Sequence, residues 1–136
     1  MKLIPISEHP DAARILYQLL EERPDYANIS HRRMPTWEEH LAFIASDPYK
    51  GWFLLAADDG GILGAAYVTD RDEIGVHIFA NQQRFGYGPL AVRSLIDRYG
   101  LKRVFANIAP ANEPSRKMFE KLGFKLIQHT LALEAE

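Results

Sequence analysis

"EIGVHIFANQQRFGYG", Glu73 to Gly88, decides how this chain folds. Its first half, Glu73–Phe79, is rich in β-branched and aromatic residues and reads as a strand. Its second half sets Gly86 and Gly88 behind Gln83 and Arg84. It leads directly into a segment where Val92, Leu95, Ile96 and Tyr99 recur at helical spacing until Gly100. A strand therefore gives way to a helix through a glycine turn. Glycine lets bare backbone approach a ligand. The first N–H groups of a helix have no intrahelical partner, and the combination attracts phosphate.

Outward from that turn, every flanking segment has a readable period. "KLIPI" predicts a short first strand. Ala12, Ile15, Leu16 and Leu19 predict a helix that Pro24 ends. Thr36 and Glu39 form a capping-box pattern opening a second helix, whose inner face is expected to hold Trp37, Leu41 and Ile44. "GWFLLAA" and "ILGAAYVT" flank Asp58–Gly61, a hairpin signal. With Glu73–Phe79 they form a three-strand meander. Beyond the glycine turn, "KRVFANI" predicts a strand and "FKLIQHTLALE" a closing strand. Between them Asn112 caps a helix with Pro114 in its first turn and Gly123 just past its end. The order is β-α-α-β-β-β-α-β-α-β, with no linker or repeat. That is one α/β domain of the α+β type over residues 1–136, with a central mixed, mostly antiparallel sheet flanked by helices.

Composition excludes several functions. A net charge of −2 and a pI near 6.2 argue against general nucleic-acid binding. The chain has no cysteine and no HExxH, so thiol catalysis, disulfides and the common zinc sites have no support, and no metal is expected. No stretch approaches the roughly 18 apolar residues of a membrane span, and "MKLIPISEHP" lacks a signal peptide's apolar run. A cytoplasmic protein is expected. "GYGPLA" satisfies the dinucleotide pattern G-x-G-x-x-A, but a helical pair and a meander precede it, where that fold needs its first βαβ unit.

Read as Gln83-x-x-Gly86-x-Gly88 followed by a helix, the turn resembles the Q/R-x-x-G-x-G/A motif of the GNAT superfamily, the acyl-coenzyme A-dependent N-acyltransferases. "NEPSRKMFEKLGF", Asn112 to Phe124, resembles the family's second signature, and the element order is similar from the first strand to the last. The resemblance implies acetyl-CoA as acyl donor. Its pyrophosphate would lie on the N–H groups of Arg84, Phe85, Gly86, Tyr87 and Gly88, with Gln83 opening the motif. Its pantetheine arm would run between "EIGVHIF" and "KRVFANI", meeting Ile78 and Ala80 through main-chain bonds, with Asn112 and Ser115 reaching the cofactor. The family's helix often carries a proton-donating tyrosine seven residues after the Asn. That position is Phe119 here, so the residue beside the donor cannot give a proton and the general acid is unassigned. The family also has one more C-terminal strand than this order supplies, so a homodimer packing the edge of "FKLIQHTLALE" is expected.

The implied reaction is direct attack of a primary amine on the thioester. The amine, with a pKa of roughly 10, must lose a proton. Alternation puts Glu73, Gly75, His77 and Phe79 on one face. Glu73 is the leading general base and His77 its rival. The Ile78 N–H is the oxyanion donor. The acceptor, a small-molecule amine, is expected against His31, Arg32 and Tyr67, with Trp37, His40, Tyr49 and Trp52 as further pocket candidates and core packing favoured for both tryptophans. A non-catalytic acyl-CoA-binding regulatory or assembly module is the alternative.

Overall fold

The computed structural model describes residues 1–24 and 33–135. Four strands, β1 (Lys2–Pro5), β2 (Gly51–Ala56), β3 (Ile62–Val68) and β4 (Ile74–Ile78), pair antiparallel in the order β1-β2-β3-β4. The helices are α1 (Ala12–Glu22), α2 (Trp37–Ala45), α3 (Tyr87–Tyr99) and α4 (Glu113–Lys121). Asp58–Gly61 makes the expected tight turn: Ala57 N–H donates to the Gly61 carbonyl at 2.8 Å, and Gly60 takes a φ of +91° that favours glycine.

The sheet is apolar on both faces, and each face has its own helices. On one, Leu54 and Ala65 meet Ala12, Ile15, Leu16 and Leu19 of α1, the stripe expected from the sequence. On the other, Phe53, Leu55, Leu63, Ala66, Val68 and Ile74 meet Ala91, Val92 and Leu95 of α3 and Phe119 of α4. Leu54, Leu55 and Leu95 are wholly buried, and each such side chain contributes about 2 kcal/mol by leaving water.

Three details differ from the sequence reading. In α2, Trp37 and Leu41 are 40% and 41% exposed, and His40 is the buried residue. His40 turns inward because Nε2 hydrogen-bonds the Ala13 carbonyl at 2.8 Å and its ring packs on Tyr17 and Trp37, so a polar residue takes the inner position. "KRVFANI" pairs with the sheet at one parallel bridge only, Glu73 to Phe105. "FKLIQHTLALE" joins no strand among the described residues, and Leu126, Ile127, Leu131 and Leu133 lie 60–97% exposed. A strand exists only where a neighbour accepts its hydrogen bonds, and residues 125–133 have no strand neighbour among the described residues.

Candidate active site

The glycine turn ends in Gly86, the N-cap of α3, at φ +83°. Nothing lies within 4 Å of where its Cβ would be. Glycine is needed there for backbone angle, and the space above it is open. Arg84 also has positive φ, +72°, a conformation costly for a side-chain-bearing residue. Pro89 has no N–H and the Leu90 N–H reaches back to the Gly86 carbonyl at 3.3 Å, so the first-turn donors left to a ligand are those of Tyr87 and Gly88. Gly88 has a second reason to be glycine. A Cβ on it would come within 2.7 Å of Met118 Sδ, so its smallness lets α3 lie against α4.

Other members of the expected donor set have partners of their own. Gln83 Nε2 donates to the Ile78 carbonyl at 3.1 Å and ties the turn to β4. The Ala80 N–H donates to Glu22 at the end of α1, at 2.7 Å. Asn112 caps α4, its Oδ1 accepting from the Ser115 N–H at 3.3 Å. Phe85 is 69% exposed beside Tyr87. Phe119 departs from expectation: it is 4% exposed, edge-on to Phe124 in the core, because an apolar ring at this helix position is driven inward.

The outer edge of β4 is open. The Ile74 N–H donates to the Phe105 carbonyl at 2.8 Å and the Phe105 N–H to Asp72 at 3.0 Å, and there the pairing ends. The Phe79 N–H points to β3, donating to the Leu63 carbonyl. Alternation therefore turns the N–H groups of Val76 and Ile78 away from β3, to the unpaired side.

The face of β4 toward α1 carries Glu73, Gly75 and His77, as alternation requires. Glu73 is held on both oxygens: Thr69 Oγ1 donates to one at 3.0 Å and Asn107 Nδ2 to the other at 2.6 Å. His77 is held neutral: burial, with the positive charge of Arg23 nearby, pushes its pKa down to about 4. Tyr67 crosses from β3 to lie on Gly75, where an added Cβ would collide with the phenol carbon and the hydroxyl. Tyr49 stacks on Tyr67 at 4.1 Å and 9°, and Trp52 meets Tyr49 edge-on at 4.8 Å. Burial pushes Tyr49 up to about 12 and raises Tyr67 as well. Three aromatic candidates, Tyr49, Trp52 and Tyr67, thus come together. Trp37 and His40 form a separate group with Tyr17 between the two N-terminal helices, and His31 and Arg32 lie outside the described residues. Arg23, Glu22, Thr69 and Asn107 were not anticipated; only Thr69, four residues before Glu73 in a polar turn, had a local signal.

A cleft of about 310 Å³ opens by the C-terminal end of α3, between Pro5–Ser7, Lys50–Phe53 and Arg98–Tyr99, with Tyr49 and Trp52 of the aromatic group on its wall. Its cations are engaged: Lys50 pairs with Asp72 at 2.6 Å and Arg98 lies over the Phe53 ring. Among the described residues no cluster could hold a metal ion, and no helix is long and apolar enough to cross a membrane.

A glycine turn opening a helix beside the unpaired edge of an antiparallel meander rules out the dinucleotide reading, which needs parallel βαβ units. Residues 1–125 match the family model described as an acetyltransferase (GNAT) domain. The chain belongs to the GNAT acetyltransferase family. A domain from Methanocaldococcus jannaschii is similar in structure at a TM-score of 0.78 and 22% identity, over 95% of this chain and 92% of that one. Spermidine N-acetyltransferase from Vibrio cholerae, in complex with CoA and spermine, has a TM-score of 0.77 at 14% identity, over 94% and 82%. A Salmonella typhimurium structure holding its cofactor acetyl-CoA has a TM-score of 0.65 at 20% identity, over 90% and 77%. Membership makes this chain an acyl-CoA-dependent acetyltransferase with acetyl-CoA as acyl donor.

Proposed function

We propose that this GNAT enzyme transfers the acetyl group to the primary amine of a small molecule, in the cytoplasm, by direct attack on the thioester. One observation carries the site assignment: the turn at Gly86 and the outward N–H groups of β4 lie consecutively along one edge, next to a face bearing two titratable side chains. The Tyr87 and Gly88 N–H groups suit the donor's pyrophosphate. The Val76 and Ile78 N–H groups suit an extended amide-bearing arm, with Ile78 stabilising the oxyanion. Ala80 joins this set only when Glu22 releases its N–H.

His77 is the better base by availability: a neutral imidazole can accept a proton directly or through water, whereas both Glu73 oxygens already accept hydrogen bonds. Its low pKa makes it a weak base for an ammonium, so the amine must bind in, or be drawn from, its neutral form. Glu73 then orients the turn and Asn107 around the site. Tyr67, Tyr49 and Trp52 offer the acceptor an aromatic wall.

A thiol-release screen with acetyl-CoA over polyamines, amino sugars, amino acids and peptides tests this reading. Turnover with one small amine, lost in His77→Gln, is the expected result. Donor binding without turnover of any amine would favour the non-catalytic module. Transfer to peptides alone would overturn the small-molecule acceptor.

A further inference from the structure

Thiolate departure calls for a proton, and Phe119, buried in the core, has none to give. On the acceptor-side face, few groups near neutral pH hold a proton free for donation. His77 is neutral, Glu73 is an acceptor, and the Thr69 hydroxyl and Asn107 amide are committed to Glu73. Tyr49 and Tyr67 remain, and of these Tyr67 is the one whose phenol lies on β4. Its hydroxyl rests over Gly75, between the flanking Glu73 and His77, and one residue from the outward Val76 N–H. The absence of any side chain at Gly75 is what admits the ring. Tyr49 braces it from outside at 4.1 Å. No protein hydrogen bond occupies the hydroxyl among the described residues, and no polar side-chain atom there is both buried and unpartnered.

We infer that Tyr67 is the catalytic proton donor of this enzyme, with Tyr49 and Gly75 as its positioning residues; the inference rests on the acetyltransferase reading above. The amine nitrogen bonds to the carbonyl carbon, the C–S bond breaks, and its electron pair leaves on sulfur. Sulfur takes the phenol proton, and the phenolate recovers, through His77 or water, the proton that His77 takes from the nitrogen as the amide forms. The net change is one proton moved from nitrogen to sulfur, with no external acid consumed. The charged and titratable groups around the phenol are Tyr49 on the α2–β2 loop, Glu73 and His77 on β4, and Arg23 at the end of α1. The raised pKa of Tyr67 keeps it protonated near neutral pH.

The test needs no acceptor. Free CoA is bound to the parent protein and to Tyr67→Phe, and the bound thiol is titrated by its thiolate absorbance. A phenol donating to the thiolate stabilises it, so the thiol should ionise about one pH unit higher in Tyr67→Phe than in the parent. Gly75→Ala, which retains the phenol but pushes it off β4, should show the same rise. Both variants are compared at matched occupancy after their melting temperatures confirm folding. Equal thiol titration in parent and both variants overturns the assignment and leaves the acetyltransferase reading intact. Failure of the parent to bind CoA overturns both.

Discussion

His77 carries the clearest physical signature of any single residue here. Its imidazole has an ordinary pKa of 6.5 and is pushed down to about 4 in the fold. As pH falls below 6.5 the unfolded chain takes up this proton while the folded chain does not. Stability therefore falls across the interval down to about pH 4, by up to roughly 3 kcal/mol from this group, and His77 adds no pH dependence above it. Urea unfolding of the parent should show that acid slope, and His77→Gln should flatten it; equal slopes would mean the ring is solvated. Gly86 gives the second residue-scale prediction. The space above it is open, so Gly86→Asp adds backbone strain of about 1–2 kcal/mol without a packing clash. Its carboxylate would sit where the proposed site takes the donor's phosphates, so affinity for acetyl-CoA should fall about a hundredfold, ~3 kcal/mol, in calorimetric titration of the folded variant. Parent-like affinity would remove the turn from the binding site. Gly88 cannot serve this purpose, because a side chain there also strikes Met118. The sequence showed that both glycines mattered. It could not show that one is needed for its angle and the other for a helix contact more than 25 residues away in the chain.

Among the elements, those specified by local chemistry were the legible ones. The α2 capping box is present in full: Glu39 N–H donates to Thr36 Oγ1 at 3.1 Å, and Thr36 N–H to Glu39 Oε1 at 2.9 Å. Arg33 adds a two-pronged contact to the same carboxylate, with both nitrogens at 3.1 Å from an oxygen. Thr36→Ala should cost about 1 kcal/mol in chemical denaturation, and a neutral result would mean α2 is held by packing alone. Which face of α2 turns inward was not legible, because His40 wins the inner position through a carbonyl on another helix. The two strands read after α3 failed for the same kind of reason. Their residues have strand composition, but strand formation depends on a partner that composition does not name. "KRVFANI" meets β4 for one bridge and is then held by the Asn107–Glu73 hydrogen bond in place of a ladder. The parting of these segments leaves the β4 edge without a ladder beyond Ile74, and it is there that the proposed function sets the donor's arm. The sequence reading set the donor's arm between these same two segments; what it did not show is that "KRVFANI" makes a single bridge in place of a strand.

For the molecule as a whole, the unsolved energetic problem is the segment after α4. Ile127, Leu131 and Leu133 recur at a spacing of two and four, which puts them on one face of an extended chain, and Leu131 and Leu133 are 92% and 97% exposed. An extended segment with an apolar face and no strand partner among the described residues is a template for another chain. A second copy of this protein would offer the same segment in return, so antiparallel pairing across a twofold axis satisfies both at once. We expect a homodimer in solution, with Ile127, Leu131 and Leu133 buried in its interface. Leu131→Asp would place a carboxylate on the shared face, where burial without a partner costs several times the thermal energy. That variant should sediment as a monomer while keeping the melting transition of its core, since neither core cluster includes this segment. A parent protein of monomeric mass across a wide concentration range in light scattering would refute the pairing, and a dimer indifferent to Leu131→Asp would place the interface on another surface.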